Sequence, residues 1–379
     1  MDVRERVDLL GQAAEFDLYS APGCAAGPPR VDLSNCISSA AMPGGRRIKV
    51  LKVLLSNMCE NDCAYCAIRA SRDTRRAALK PHELARAFDQ MRRAGLVSGL
   101  FLSSGICHSS VREMDRMIVT VEILREVYAF QGYVHLKVLP GAEPAQIERA
   151  AQLADRVSTN LEAPNPERLA RLSQRKAFDA QLMPALRVAS RLHRQSGRRL
   201  APSGVTTQLV VGAAGESDCE ILSTTSRLYR ELGLARAYYS AFRPIEDTPL
   251  ENHPPTPPLR QHRLYQSDFL LRQYGFRFEE LVFDAAGNLP ASRDPKLAWA
   301  DAHPERFPVE VNLAGREELL RVPGIGPLTA GRILDARRSG RLTELAYLRT
   351  MGVDVGRAAP YILLDGRRPE HQLSLWTGA

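Results

Sequence analysis

The chain has 379 residues, 44% of them hydrophobic and 25% charged, with a formal net charge of +8. These values fit a large globular core shared between one big domain and a smaller one, and exclude a disordered or fibrous chain. No apolar run approaches the ~20 residues of a membrane span and the opening MDVRERVDLLGQAAEF lacks the apolar stretch of a secretory signal, so no membrane partner and a cytoplasmic location are expected.

Taken in chain order, residues 1–45 read as an irregular N-terminal extension, with SAPGCAAGPPR and MPGGRR supplying turns. A rhythm then begins. IKVLKVLLS, VSGLFLSSG, YVHLKVLPG, RVSTNLEAP, VTTQLVVG and RAYYSAF have the β-branched and leucine-rich character of strands. Between them KPHELARAFDQMRRAG, VREMDRMIVTVEILREVYAF, PAQIERAAQLA, NPERLARL with FDAQLMPALRVASRLHRQ, and ESDCEILSTTSRLYRELG carry helical spacing. Six alternations over 46–250 predict an α/β fold with a parallel sheet, a partial (β/α)6 TIM-like barrel. Residues 251–305 read as a Pro-rich linker and connecting subdomain, 306–366 as a small all-α unit, and 367–379 as a tail.

Several strands place polar residues at every second position. His135 and Lys137 alternate with Val134, Leu136 and Val138, and Ser158, Asn160 and Glu162 share a face of the next strand, which predicts a wet barrel interior. The positive net charge is compatible with a polyanionic partner, although only six of the 51 basic residues are lysine, so arginine use in general accounts for part of it.

Seven cysteines lie at 24, 36, 59, 63, 66, 107 and 219, an odd and uneven set that argues for a metal or cluster site over a disulfide framework. Cys59, Cys63 and Cys66 fall within the loop that follows the first alternating strand. Three thiolates at this spacing can hold three irons of a cubic [4Fe–4S] cluster and leave the fourth iron open. A zinc site closed by Cys107 or His108 is the alternative. The loop's place at the C-terminal face of the sheet, where this architecture puts its chemistry, favours the cluster.

The Cys59-x3-Cys63-x2-Cys66 run, with Tyr65 before the last cysteine, resembles the signature of radical S-adenosylmethionine (SAM) enzymes. The resemblance implies a [4Fe–4S] cluster on these three cysteines, SAM chelating the open iron, and one-electron cleavage of SAM to a 5′-deoxyadenosyl radical that abstracts a hydrogen atom. It also implies an electron donor such as flavodoxin or ferredoxin. Residue by residue, Ser103, Ser104 and Gly105 resemble the family's contact to the SAM amino group, with Ser where Gly and Glu are commoner. Asn160 and Glu162 resemble its contacts to the ribose or methionine part, Tyr65 its aromatic beside the adenine, and Gly212 with Glu216 its fifth-strand motif. His135, Lys137 and Arg243 are further candidates for contact with substrate or the SAM carboxylate. Cys107 is a candidate hydrogen donor or a small core residue, and Cys24, Cys36 and Cys219 read as structural.

REELLRVPGIGPLTAGRILDARRSG reads as helix, turn, helix, with VPGIG at 322–326 as the turn. Its glycines, Gly324 and Gly326, permit a tight turn that presents N–H groups at a helix start as an anion site, and Arg332, Arg337 and Arg338 add charge nearby. The run resembles the helix-hairpin-helix module of DNA repair and recombination proteins, continuing as a degenerate second copy in LTELAYLRTMGVDVGRAAPYI. The whole resembles radical SAM proteins of DNA modification or repair, so the expected partners are DNA and another repair enzyme. An RNA- or tRNA-modifying radical SAM enzyme, and a non-catalytic DNA-binding protein with a structural or redox metal, are the alternatives.

Overall fold

Residues 1–15, 36–41 and 47–370 are described by the computed structural model of the chain. The turn expected in SAPGCAAGPPR, most of MPGGRR, Cys24 and residues 371–379 lie outside the described residues. The chain divides into two units, Met1–Gln261 and His262–Ala379.

The first unit runs α1 (Val3–Ala13), β1 (Ile37–Ala41), β2 (Arg47–Leu54), α2 (Pro81–Arg93), β3 (Gly99–Ser103), α3 (Ser110–Glu122), β4 (Tyr133–Lys137) and α4 (Pro144–Leu153). It continues with β5 (Arg156–Ser158), α5 (Pro166–Leu172), α6 (Met183–Gln195), β6 (Val205–Val211), α7 (Asp218–Leu232) and β7 (Arg236–Ala241). Strands β2 to β7 pair in parallel in chain order, and β1 adds an antiparallel edge to β2. Among the described residues β7 does not pair back to β1, so the sheet is an open half-barrel with the six alternations expected.

Three expectations are corrected. The extension is not irregular throughout: it contains α1 and β1. Asp2 and Glu5 cap α1 reciprocally, each side chain accepting from the other's backbone N–H at 2.8 and 3.0 Å, and Val7 and Leu10 are buried. The strand expected over 156–164 ends at Ser158, and Glu162 takes a left-handed φ of +65°, so simple alternation does not carry to Asn160 and Glu162. The run 244–257 is less a free linker than a strap on the sheet: His253 Nε2 donates to the Gly212 carbonyl at 2.8 Å and Thr256 Oγ1 to that of Val211 at 2.6 Å.

Register explains the two faces of the sheet. Val53, Leu102, Leu136, Val157 and Val205 lie across from one another on β2 to β6, all buried, on one face. The opposite face sets Lys52, Phe101, His135 and Arg156 side by side on β2 to β5, then Ser158, Thr206 and Arg236 on β5 to β7. A polar lumen face is therefore built into the register, as the alternation predicted.

Helix α1 is tied to α2 by a two-point ion pair, Arg6 Nη1 and Nη2 each 3.0 Å from a Glu83 oxygen. The Arg6 guanidinium, followed by the Lys80 N–H, holds the Glu83 carboxyl down to about 2 from an ordinary 4.5. Its folded value being depressed, its stabilisation is fully present above pH 4.5 and is lost as pH falls from there through about 2. Glu83→Gln is expected to cost about 1–2 kcal/mol at neutral pH and to flatten the acid limb of a urea-denaturation series over this window. An unchanged acid limb would sink the assignment.

The second unit holds most of α8 (Pro258–Gln273), then α9 (Pro295–Ala302), β8 (Val309–Glu310), α10 (Arg316–Arg321), α11 (Pro327–Ala336), α12 (Leu345–Thr350), α13 (Val355–Ala358) and β9 (Ile362–Leu363). The parallel ladder β8–β9 means that the region is not all-α as expected. Val311, Leu319, Val322, Ile325, Ile333, Leu348 and Ile362 are among its core.

The 322–326 turn joins α10 to α11. Gly324 has φ +84°, and a Cβ there would lie 2.4 Å from the Asp354 carbonyl oxygen, so only glycine fits. Asp354 donates its N–H to the Gly324 carbonyl at 3.1 Å, which docks the second helical pair on the first. Buried Lys296 donates to the Ile325 carbonyl at 2.5 Å with its ammonium 4.8 Å from the Tyr274 ring centroid; burial holds its pKa down to about 7.

Candidate active site

The chain leaves β2 and re-enters regular structure only at α2, so residues 55–80 form a long loop at the C-terminal ends of the parallel strands. Backbone bonds stitch its two ends together: Leu55 donates to Ser103 at 2.8 Å and Leu79 to Leu55 at 2.9 Å. Asn57 accepts from the Ala77 N–H at 2.7 Å and donates to the Arg75 carbonyl at 2.9 Å. Arg76 lies inside the loop and donates to the carbonyls of Asn57, Ile68, Arg69 and Arg72 at 2.7, 2.8, 2.7 and 3.0 Å. Neither anchor was found from sequence, because an arginine that binds carbonyls leaves no periodic trace.

Cys59, Cys63 and Cys66 all face one cavity, and among the described residues no fourth cysteine lines it. Tyr65, Ser103, Ser104 and Gly105 share the wall, as do Lys137, Asn160 and Glu162. The ten candidates so gathered come from the ends of successive strands and from the first loop. At Gly105 a Cβ would lie 2.4 Å from the Met58 oxygen and 3.1 Å from Cys59 Cβ, so the second loop can lie this close to the cysteine loop only as glycine. Burial raises the Cys66 thiol to about 12 and, acting against the nearby Lys176, also raises Cys63. Thiols crowded in such a place ionise readily only when a metal takes their charge, as a cluster iron does.

Among the wall residues not found from sequence, two bring polar groups from beyond the cysteine loop. Lys176 Nζ lies 2.8 Å from Glu162 Oε1 and 3.5 Å from the Tyr65 hydroxyl, with the Lys176 and Glu162 side chains only 9% and 6% exposed. Burial opposes the lysine's charge, yet Cys63 and Glu162 hold its pKa above the ordinary range. Asp62 places it, accepting from Ser173 Oγ at 2.5 Å and from the Gln174 N–H at 3.0 Å. Lysine scarcity, with six in the chain, could have flagged Lys176. Gln208, one strand over, is the other.

The remaining candidates are elsewhere. His135 lies deeper on the lumen face, fully buried, its Nε2 2.8 Å from Ser158 Oγ and its ring edge-on to Phe101. Burial, with Arg156 and Lys137 nearby, keeps it neutral. Gly212 follows β6 with its N–H held by the Glu216 carboxylate, and Arg243 is exposed after β7; neither lines the cavity. Cys107 sits outside it beside Glu60 and His108. Cys36 is buried against α1, its Sγ 3.8 Å from the Val7 carbonyl, and Cys219 is half-buried in α7. In the second unit Arg332 is exposed and donates to Met351 at 2.9 Å, whereas Arg337 turns inward to the Ala314 carbonyl at 2.6 Å.

Residues 53–228 match the family model of the Radical SAM superfamily. This part of the chain is a radical SAM domain. The cofactors of the radical SAM family are a [4Fe–4S] cluster and SAM, and the three cysteines with the polar wall fit that pair. Membership of this superfamily supports an enzyme. Among solved structures, HydG, a maturase of the [FeFe]-hydrogenase, matches at 13% identity over 57% of this chain and 48% of its own, with a TM-score of 0.46. Methylornithine synthase (PylB) matches at 18% identity over 57% and 60%, with a TM-score of 0.46. The radical SAM methyltransferase TsrM from Kitasatospora setae, solved with cobalamin and a [4Fe–4S] cluster, matches at 14% over 52% and 38%, with a TM-score of 0.40. The chain thus spans 38% to 60% of the length of these proteins. No curated protein matches it. No helix among the described residues is long and apolar enough to cross a membrane.

Proposed function

We propose that this radical SAM enzyme modifies or repairs DNA, with a nucleobase or sugar as its target and the second unit as its DNA-binding part. Cys59, Cys63 and Cys66 would hold the cluster, and Ser104, Gly105, Asn160 and Glu162 would orient SAM through backbone and side-chain polar groups. When bound and reduced by a one-electron donor, the pair supplies hydrogen-atom abstraction through reductive cleavage of SAM. The chain's own part is to exclude water, to hold the Lys176–Glu162 charge pair beside the cysteines, and to present Lys137 from the lumen face to the substrate side.

The observation that carries the DNA reading is the start of α11. Thr329 Oγ1 accepts the Gly326 N–H at 2.7 Å, Pro327 has no N–H, and the N–H groups of Leu328 and Thr329 have no partner within the helix. Such an end takes one phosphate, and exposed Arg332 supports it. The second pair differs: Asp354 caps α13 with its own carboxylate, which fills the anion position with a negative group. The resemblance to helix-hairpin-helix modules therefore rests on the first turn.

The test is anaerobic reconstitution with iron and sulfide, followed by 5′-deoxyadenosine formation from SAM and dithionite with and without duplex DNA. Formation that needs all three cysteines and rises with duplex DNA supports the reading. Arg332→Ala should weaken DNA binding about equally across sequences and lower the salt slope by about one. Stimulation by tRNA alone would overturn the DNA assignment and leave the radical chemistry standing.

A further inference from the structure

The Cys107–His108 pair, singled out by its place in SSGICHSS, takes no part in the cavity. Its surroundings give it a use. The loop after β3 is zipped along the cysteine loop: Gly105 donates to the Ser56 carbonyl at 2.6 Å and Glu60 to that of Ile106 at 2.7 Å. The contact at Gly105 leaves no room for the two loops to slide. On the outer side of this seam a carboxylate oxygen of Glu60, Cys107 Sγ and a ring nitrogen of His108 all lie within 4.8 Å of one another.

We propose that Glu60, Cys107 and His108 form a second, mononuclear metal site, for a zinc-type divalent cation, separate from the cluster site. Zinc bonds of ~2.0–2.3 Å in a tetrahedron set the ligand atoms roughly 3.3–3.7 Å apart, so closing the site needs a contraction of about 1 Å. Glu60 and His108 are exposed and Cys107 is half-buried, so side-chain rotation suffices. One Glu60 oxygen, Oε1, accepts the His108 backbone N–H at 2.9 Å and lies 3.6 Å from the His108 ring Nδ1, which aims the carboxylate at the imidazole. That bond also holds His108 at a φ of +66°, a conformation that costs a non-glycine residue about 1–2 kcal/mol. A thiolate, an imidazole and a carboxylate suit zinc better than magnesium or calcium, and three protein ligands leave a fourth position for water or a ligand. On binding, the Cys107 thiol proton passes to solvent as the sulfur–metal bond forms. The seam between the loops would then be closed by a metal as well as by hydrogen bonds. The proposal does not depend on DNA as the substrate.

The experiment uses the full-length reconstituted protein, equilibrated with zinc, desalted, and analysed for metals and by zinc-edge X-ray absorption. The expected result is one zinc per chain beside the cluster iron, with one sulfur at ~2.3 Å and nitrogen and oxygen at ~2.0 Å. Cys107→Ser and His108→Ala should each lower retained zinc at least tenfold with iron unchanged, and Glu60→Gln should lower it less. The variant Cys59→Ala/Cys63→Ala/Cys66→Ala should keep its zinc and lose its iron. Zinc that survives Cys107→Ser, zinc that vanishes with the three cluster cysteines alone, or no retained zinc at all would each overturn the site.

Discussion

Lys176→Met is expected to destabilise the protein by about 3–5 kcal/mol and to abolish stable cluster loading. The lysine and Glu162 form a nearly closed-off pair at 2.8 Å. Deleting one member of a buried pair strands the other charge without water, which costs about that much. The Lys176 charge also favours the ionised form of the Cys63 and Cys66 thiols, so its loss makes thiolate formation harder. The double variant Lys176→Met/Glu162→Gln should recover most of the stability, since no charge is then stranded, while the cluster defect remains. Urea midpoints and iron content read the two effects separately. Equal loss of stability in the single and double variants would show that packing, and not the charge pair, is at stake.

Arg76→Ala should leave the barrel folded and disorder the cysteine loop. Its guanidinium gathers four carbonyls of the loop, of which that of Arg69 also accepts the Arg72 N–H at 3.3 Å. Each charge-assisted bond contributes about 1.5–3 kcal/mol, and because the four act on one loop the sum is not additive; about 3 kcal/mol or more of local stability is at risk. Hydrogen exchange should accelerate over 57–76 with the strand amides of β2 and β3 unchanged, and iron loading should fall severalfold. Arg76→Lys should fail to restore it, because an ammonium cannot serve four carbonyls spread around a planar fork. Normal iron loading in Arg76→Ala would mean that the cysteine spacing shapes the loop unaided.

What could be read from the sequence was whatever leaves a local mark. Strands β2, β3, β4, β6 and β7 announce themselves by β-branched runs, and the cysteine loop by spacing. The polar lumen was legible because His135 and Lys137 lie two apart on one strand, and two is the period of a strand. Lys176 was not, since it reaches the site from an irregular segment after α5 and is held by Asp62 from another loop. Glu162 was found, but for an incomplete reason: its place follows from a left-handed backbone and a bridge to Leu209, not from strand alternation. The N-terminal helix had a readable mark in Asp2 and Glu5, three apart, the spacing of a reciprocal cap. Strand β1 had none, for ISSAA gains its place only by pairing with β2.

The sparse lysines have a practical consequence for labelling. Of the six, Lys49 and Lys80 are exposed, whereas Lys52 and Lys296 are buried and Lys137 and Lys176 stand in the cavity wall. An amine-directed acylating reagent meets two ready targets on an arginine-coated surface and four whose reactivity reports on the interior. Peptide mapping by mass spectrometry after a brief pulse thus becomes a footprint of cavity occupancy, in which protection at Lys137 marks a filled site and Lys80 serves as the internal standard.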